Sequence, residues 1–298
     1  MHNLAIALHL KGHEVTGSDD EIFDPASANL AKHGLLPEKF GWFPENIVKS
    51  LDCIVLGMHA REDNPELIRA KELGIRIFSY PEFLYEETQN KTRVVIGGSH
   101  GKTTVTSMIL FVLKKMQMDF DYMVGAQIEG FDTMVRLSET SRIAVFEGDE
   151  YLTSPIDLRP KFHVYRPHIA VVTGIAWDHI NVFPTFEIYV EQFAIFAKMV
   201  ERDGKFIYFE EDPHLQIIAE NLREDSPPYP TTLIPATSPR AKLGWKPNTA
   251  ISRCAFLAST TCRTSSAHIW FAVNSAFPTK TFTPASASSR ELPNGCKH

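Results

Sequence analysis

The feature that most constrains this chain is a glycine-rich stretch between two apolar segments: Gly98, Ser99, His100, Gly101, Lys102, Thr103 and Thr104. The segment before it, Val94 to Ile96, is typical of a buried strand, and the segment after it, Val105 to Met116, repeats apolar residues with a helical period. A strand, a glycine-rich turn and a helix in this order direct backbone N–H groups and the positive end of the helix at one point. The pattern therefore predicts a phosphate-binding loop.

Two side chains of this loop have the chemistry that a nucleoside triphosphate with Mg²⁺ requires. Lys102 would reach the outer phosphates, and the hydroxyl of Thr103 would bind the metal. A full P-loop has a further glycine five residues before Gly101, where this chain has Ile96, so the loop is a shortened variant. The alternative is a solvated turn whose lysine is simply exposed. The predicted helix supports the first interpretation with one apolar face, formed by Val105, Met108, Ile109, Val112, Leu113 and Met116.

The composition excludes several classes of protein. A net charge of −6 provides no basic surface for nucleic acid, and no apolar run approaches the roughly 20 residues of a membrane span. The four cysteines lack the paired short spacing of a zinc site or a disulfide framework. A length of 298 residues favours about two domains. We therefore expect a cytoplasmic protein, monomeric, with no nucleic-acid or membrane partner.

The first 88 residues alternate predicted helices and strands, which indicates an α/β domain with a parallel sheet covered on both faces. The predicted helices are 3–11, 66–73 and 81–87, and the predicted strands are 14–19, 53–57 and 75–79. A dinucleotide-type unit would place a strand and a glycine turn before the first helix, and neither precedes it. We therefore expect an incomplete Rossmann-like domain over residues 1–88, and Met1 as an internal methionine of a longer reading frame.

The second predicted domain, residues 89–225, has polar groups at two further strand ends. The apolar strand 143–146 is followed by Glu147-Gly148-Asp149-Glu150, and the strand 169–175 by Asp178-His179. Carboxylates beside a phosphate loop are placed to hold Mg²⁺. The alternatives are a solvated acidic turn and a structural histidine. Four aromatic residues of the predicted helix 186–200 are assigned to the core: Phe186, Tyr189, Phe193 and Phe196.

The strand ends GSHGKTT, EGDE and WDHIN together resemble the Mur ligases. Within that family the resemblance is closest to the branch that joins UDP-N-acetylmuramate to a peptide in peptidoglycan recycling. It covers nearly all of residues 1–225 through the segments AIALHLKGHEVTGSDDEI, GMHAREDNPEL, YPEFLYE, MVGAQIEGFD, EGDEYLTSPID and GIAWDHINVFPTF. The resemblance implies a P-loop-type central domain after the Rossmann-like one.

The resemblance also implies a reaction. ATP would phosphorylate a carboxylate, and an amine would displace phosphate from the acyl phosphate to form an amide. The carboxylate would belong to UDP-N-acetylmuramate and the amine to the tripeptide L-Ala-γ-D-Glu-meso-diaminopimelate. One alternative is the relative that adds L-alanine, expected to show GTHGKTT and EADESD, whereas this chain has GSHGKTT and EGDEYLTSP. Another is a nucleotide-binding remnant without activity.

Site roles follow from the same resemblance, motif by motif. Lys102 would contact the β and γ phosphates, Thr103 would bind one Mg²⁺, and Glu147 and His179 would hold a second one. Lys102, Glu147 and His179 are therefore the expected catalytic residues. The residues expected near the metal or the substrates are Asp178 and Asn181, and, toward the UDP-sugar, Gly17, Ser18, Asp19 and His59.

The composition changes after Asp225: of the 36 acidic residues only Glu291 follows it. The family would continue with a GxHNxxN motif and a C-terminal amine-binding domain, and neither follows here. Read in a neighbouring frame, residues 258–264 can encode GEHNMQN. We therefore expect a frameshift between about residues 225 and 250, a poorly ordered tail over 226–298, no C-terminal ligase domain and no measurable ligase activity. The nucleotide sequence of the gene tests this hypothesis.

Overall fold

A computed structural model of the chain describes residues 1–154 and 157–231. The hypothesis of an out-of-frame tail therefore falls, from residue 232 onward, outside the described residues. Within them the helices and strands follow one another as α1 (His2–Leu10), α2 (Ala26–Lys32), β1 (Cys53–Leu56), α3 (Pro65–Leu73), β2 (Arg76–Ser79), α4 (Tyr80–Glu87), β3 (Thr92–Gly97), α5 (Lys102–Lys115), β4 (Asp121–Met123), β5 (Val135–Arg136), β6 (Ile143–Glu147), β7 (Leu152–Ser154), β8 (Asp157–Pro160), α6 (Lys161–Val164), β9 (Ile169–Val172), α7 (Phe186–Lys198), β10 (Lys205–Phe209), α8 (Pro213–Glu220) and β11 (Pro228–Thr231).

The N-terminal part of the fold contains a two-stranded parallel sheet in which β1 pairs with β2. Its helices start at side chains that satisfy free backbone N–H groups. Asn64 accepts the N–H groups of the first turn of α3, and Ser79 and Glu82 form a reciprocal capping box at the start of α4. The predicted alternation of helix and strand from residue 53 to 87 is confirmed.

The strand predicted at residues 14–19 is wrong. The structure gives this segment no regular secondary structure, and most of it is exposed. The segment follows the first helix, where an α/β unit is expected to place a strand, but a strand needs a neighbour for its backbone N–H and C=O groups. In the described chain β1 and β2 pair only with each other. The segment instead makes a loop contact in which the N–H of Gly41 donates to the carbonyl of Asp19 (2.8 Å).

The central part is a seven-stranded sheet with the order β11-β10-β9-β3-β6-β4-β5. All neighbouring pairs are parallel except β4 and the edge strand β5. β3 lies in the middle, with Val95 opposite Phe146 of β6 and Ala170 of β9. The predicted fold class, an α/β protein with a parallel sheet, is confirmed. Because β11 pairs with β10, the sheet continues past Asp225.

Helices cover both faces of this sheet. Val94 and Ile96 of β3 pack with α5 on one face, whereas Val95 packs on the other face in the cluster that includes α6, α7 and α8. A strand buried on both faces is apolar at consecutive positions, which is why β3 was recognisable in the sequence. In the described residues no helix is both long and apolar enough to cross a bilayer.

The apolar face predicted for α5 is half wrong. Val105, Ile109 and Leu113 are buried, but the side chains of Met108, Val112 and Met116 are exposed. The helix carries two adjoining apolar stripes, and only one can contact the flat sheet below it. On α7 the predicted core aromatics Tyr189, Phe193 and Phe196 are fully buried, while Phe186 is partly buried at the edge of the cluster.

A buried histidine beside this core predicts how stability depends on pH. The Nε2 atom of His163 lies 2.8 Å from the carbonyl oxygen of Gln192. Burial, only partly offset by that hydrogen bond, lowers the pKa of His163. The histidine therefore binds its proton more tightly in the unfolded chain than in the folded one. The contribution of neutral His163 to the free energy of unfolding is present above about pH 6.5 and is lost as the pH falls toward the pKa of the folded state. We expect His163→Gln to flatten the decrease in unfolding free energy between about pH 7.5 and 5.5.

Urea unfolding at both pH values measures this effect. The exposed His13→Gln serves as the control and should keep the slope of the unchanged chain. An unaltered slope in the His163 variant would contradict the prediction.

Candidate functional site

The loop between β3 and α5 has a backbone that only glycine fits at two positions. Gly98 has φ +124°, and a Cβ atom there would lie 2.2 Å from Oγ1 of Thr173. Gly101 has φ +82° and precedes the first residue of α5. These are conformations that L-residues with a side chain rarely adopt. The loop therefore turns tightly and presents its backbone, not side chains, in front of the helix.

The carboxyl end of β9 holds the loop in place. The hydroxyl of Thr173 donates to the carbonyl of His100 (2.5 Å), and the N–H of Ser99 donates to the carbonyl of Gly174 (3.0 Å). The hydroxyl oxygen of Ser99 accepts the N–H of Ala176 (2.8 Å). Because the loop is tied to a neighbouring strand end, its shape is set before any ligand binds.

A cleft of about 340 Å³ opens at this loop, and its lining consists of Ser99, His100, Gly101, Lys102, Thr103, Thr104 and Glu147. It lies outside the carboxyl ends of β3 and β6, the place where open parallel sheets bind ligands. Its volume is within the range of small-molecule pockets. The structure thus brings six of the seven predicted loop residues together with one predicted metal ligand.

A hydroxyl and a carboxylate meet on one side of the cleft. The hydroxyl of Thr103 donates to Oε1 of Glu147 (2.8 Å), and the N–H of Gly125 donates to Oε2 of Glu147 (3.0 Å). Hydroxyl and carboxylate oxygens are ligands that Mg²⁺ prefers. The donor set therefore fits a hard divalent cation beside the phosphate loop.

On the other side of the cleft, Lys102 bonds a carboxylate that the sequence analysis did not select. Its Nζ lies 2.7 Å from Oε2 of Glu150 and 2.8 Å from the carbonyl oxygen of Gly98. Glu150 is fully buried. It stands in the same acidic group as Glu147, but the sequence does not reveal which of those carboxylates turns toward the loop.

His179 is the second side chain that contacts Glu150. Its Nε2 lies 3.2 Å from Oε1 of Glu150, and its backbone has φ +55°. Left-handed backbone at a residue with a side chain is strained, and such strain concentrates at functional sites. No hydrogen bond or ion pair joins His179 to Glu147 within the described part of the chain. The structure thus places the two predicted partners of a second Mg²⁺ in separate contacts.

Three neighbours surround this histidine. Asp178 accepts the backbone N–H of His179 (2.7 Å), and Asn181 donates to the hydroxyl of Tyr151 at 3.5 Å. Asp149 lies close to both Glu150 and His179, with one ligand atom from each within 4.8 Å of the others. Burial opposes ionisation of Asp149, but Lys161 (2.9 Å) and the N–H of Tyr151 outweigh it and lower the pKa of Asp149.

The residues predicted to face a UDP-sugar are not among those that line this cleft. Gly17, Asp19 and His59 are exposed and Ser18 is half-buried. Partial burial, together with a side-chain hydrogen bond to Asp20, raises the pKa of Asp19, against the backbone N–H of Asp20, which lowers it. In the ranges that the structure describes, no hydrogen bond or ion pair links these four residues to the loop 98–104. Their substrate role stays a prediction.

Comparison with known proteins explains this site. The Mur ligase middle domain matches residues 96–242, and the Mur ligase family, catalytic domain, matches residues 1–92. The structure is similar to the UDP-N-acetylmuramate:L-alanyl-γ-D-glutamyl-meso-diaminopimelate ligase of Neisseria meningitides, with 27% identity and a TM-score of 0.69 over 78% of this chain and 74% of that one.

Two curated relatives are also similar to this chain. The UDP-N-acetylmuramate–L-alanine ligase of Limosilactobacillus reuteri is 33% identical over 77% of this chain and 48% of its own length. The UDP-N-acetylmuramate–L-alanyl-γ-D-glutamyl-meso-2,6-diaminoheptandioate ligase of Escherichia coli is 28% identical over 72% and 47%. The chain spans about half the length of these relatives, which are ATP-dependent ligases that form carbon–nitrogen bonds. The chain belongs to the Mur ligase family, of which it carries the N-terminal and middle domains.

Proposed function

We propose that this chain binds ATP with Mg²⁺ at the loop 98–104 and carries the nucleotide-binding part of a ligase that activates a carboxylate as an acyl phosphate. The observation that supports this most is the Thr103–Glu147 pair beside Lys102, on a loop whose glycines expose the backbone. These groups bring metal ligands, a cation and free N–H groups to one cleft.

Each group would have a separate task in that reaction. The N–H groups at the start of α5 and the ammonium of Lys102 would bind phosphate oxygens and stabilise the negative charge that develops during transfer. Thr103 and Glu147 would hold Mg²⁺, which supplies charge neutralisation when it is bound. Ser99 and Thr173 would keep the loop fixed, so that little reorganisation accompanies the reaction.

Two amine substrates compete within this proposal. The Neisseria structure and the motifs GSHGKTT and EGDEYLTSP support the tripeptide ligase of peptidoglycan recycling, with UDP-N-acetylmuramate as the carboxylate. The second candidate, addition of L-alanine to UDP-N-acetylmuramate, is supported by the 33% identity to the L. reuteri enzyme. Phosphate release by a version extended to the length of these relatives, supplied with either amine, discriminates between them.

The nucleotide site is tested with the chain itself. We expect titration calorimetry to show binding of MgATP, and Lys102→Met to weaken it by roughly 10- to 100-fold, since a hydrogen bond from a charged group contributes about 1.5–3 kcal/mol. The matched control is Lys198→Met, an exposed lysine of α7, which should bind as the unchanged chain does. Absence of MgATP binding by the unchanged chain, with a cooperative thermal transition present, would refute the proposal.

A further inference from the structure

Glu150 connects the phosphate loop to two other elements. Its Oε2 accepts from Lys102 (2.7 Å), and its Oε1 lies 3.2 Å from Nε2 of His179 and accepts the hydroxyl of Tyr189 at the same distance. The Tyr189 hydroxyl also lies 2.8 Å from Oγ of Ser99. A fully buried carboxylate thus joins the loop, the end of β9 and helix α7.

The hydrogen-bond inventory of the two bound side chains shows what this carboxylate does. A lysine ammonium has three N–H groups, and Lys102 directs two of them at Gly98 and Glu150, which leaves one. A neutral histidine has one N–H, and the contact with Glu150 places it on Nε2 of His179. The Nδ1 atom of His179 is 3.8 Å from Asp178, too far for a hydrogen bond, and within residues 1–154 and 157–231 no other group donates to its lone pair.

We propose that Glu150 is a positioning residue for the nucleotide site: it aims the remaining N–H of Lys102 at the phosphates and fixes His179 with its proton on Nε2 and its lone pair on Nδ1. This inference rests on the proposed function, since it assigns Lys102 to phosphate. A carboxylate that holds the far nitrogen of a metal-binding histidine is a recurrent arrangement, and its loss typically costs 10- to 100-fold in affinity or activity. The hydroxyl of Tyr189 holds Glu150 in turn, and Ser99 contacts that hydroxyl.

The tautomer of His179 can be measured in the unchanged chain, without nucleotide. We expect ¹⁵N spectra of histidine-labelled protein at pH 8 or above to show a protonated Nε2 and an unprotonated Nδ1 for His179. The His179→Gln variant assigns the signal. A proton on Nδ1 would overturn the inference, because Nε2 would then have no hydrogen to give to Glu150. This result does not depend on whether the chain binds ATP.

The effect on Lys102 is measured by nucleotide affinity, where two explanations predict opposite signs. If Glu150 were only a nearby negative charge, Glu150→Gln would strengthen binding of the anionic nucleotide. If it positions Lys102, the variant should bind MgATP about tenfold more weakly, with a smaller change for MgADP, which lacks the γ-phosphate. The control is Glu191→Gln, an exposed residue of α7 that makes the same change of charge and should leave both affinities unaltered.

Equal or tighter binding of MgATP by Glu150→Gln, in a background where the unchanged chain binds it, refutes the positioning role and leaves the proposed function intact. If Glu150→Gln does not fold, Tyr189→Phe replaces it, because that variant keeps the buried ring and removes only the hydroxyl that holds Glu150. It should weaken MgATP binding in the same direction, and affinities equal to those of the unchanged chain would count against the inference.

Discussion

Replacing Gly98 by alanine is expected to weaken nucleotide binding strongly and to destabilise the central part of the fold. The added Cβ would lie 2.2 Å from Oγ1 of Thr173 and 2.9 Å from its backbone N. The backbone atom belongs to the end of β9, which pairs with β3 and β10 and cannot withdraw freely. The loop itself must therefore move.

The cost has two parts. The positive φ of Gly98 is unfavourable for alanine by about 1–2 kcal/mol, and the clash adds about 1–3 kcal/mol in a well-packed region. Displacing the loop by about 1 Å would also reduce binding by about a hundredfold, because the N–H groups would no longer point at the phosphates. Chemical unfolding measures the first effect and calorimetry with MgATP the second.

Two variants separate the causes. Gly12 also has a positive φ, +100°, but a Cβ there would meet no atom within 4 Å, so Gly12→Ala isolates the backbone term. Adding Thr173→Ala to the Gly98 variant removes the atom at 2.2 Å and should recover part of the stability. If Gly98→Ala is no worse than Gly12→Ala, the close approach of the loop to β9 does not hold.

The sequence predicts the loop well because its structure is local. The loop is one contiguous segment that includes Val94 to Ile96, the glycines and the start of α5. Each residue type in it suits the backbone conformation at its own position. Strands buried on both faces, such as β3 and β6, were equally recognisable. By contrast, residues 14–19 form no strand, because β1 and β2 pair only with each other in the described chain and leave this segment no neighbouring strand.

The elements that were missed are those without a periodic signal: α2, β4, β5, β7, β8, α6 and β11. The same limit applies to the site. Glu150 and Tyr189 are 39 positions apart and meet only because β6 and α7 pack beside the loop. A sequence can show that carboxylates follow a strand, but which of them turns inward depends on the packing of distant segments. The role proposed for Glu150 therefore rests on the three-dimensional structure.

Arg93 illustrates the same point, and its replacement is expected to have the largest effect on stability after that of Gly98. The side chain is only 3% exposed. Its Nε donates to the carbonyls of Tyr165 (2.8 Å) and Arg166 (3.0 Å). Its Nη1 donates to the carbonyls of Thr88 (2.9 Å) and Gln89 (3.1 Å). The guanidinium thus ties the end of α4 to the segment after α6.

These carbonyls have no easy substitute for the guanidinium. The carbonyls of Thr88 and Gln89 lie just past the last residue of α4, and Arg93 donates to both. Arg93→Met keeps most of the volume and leaves two buried acceptors unpaired, the carbonyls of Thr88 and Tyr165. Each unpaired acceptor typically costs about 1–3 kcal/mol, so a total of roughly 2–6 kcal/mol is expected. For a domain of this size that corresponds to a decrease in Tm of about 10 °C.

Thermal unfolding followed by circular dichroism tests this expectation. The Tm of Arg93→Lys should lie between those of the unchanged chain and Arg93→Met. An ammonium carries the charge but lacks the planar guanidinium that reaches both pairs of carbonyls. Arg202→Met is the control: its side chain is 85% exposed and 3.6 Å from Asp225, and exposed pairs contribute at most about 1 kcal/mol. A decrease in Tm of similar size in both methionine variants would mean that Arg93 contributes no more than a surface charge. A decrease confined to Arg93→Met would identify the guanidinium as the group that joins the end of α4 to the segment after α6.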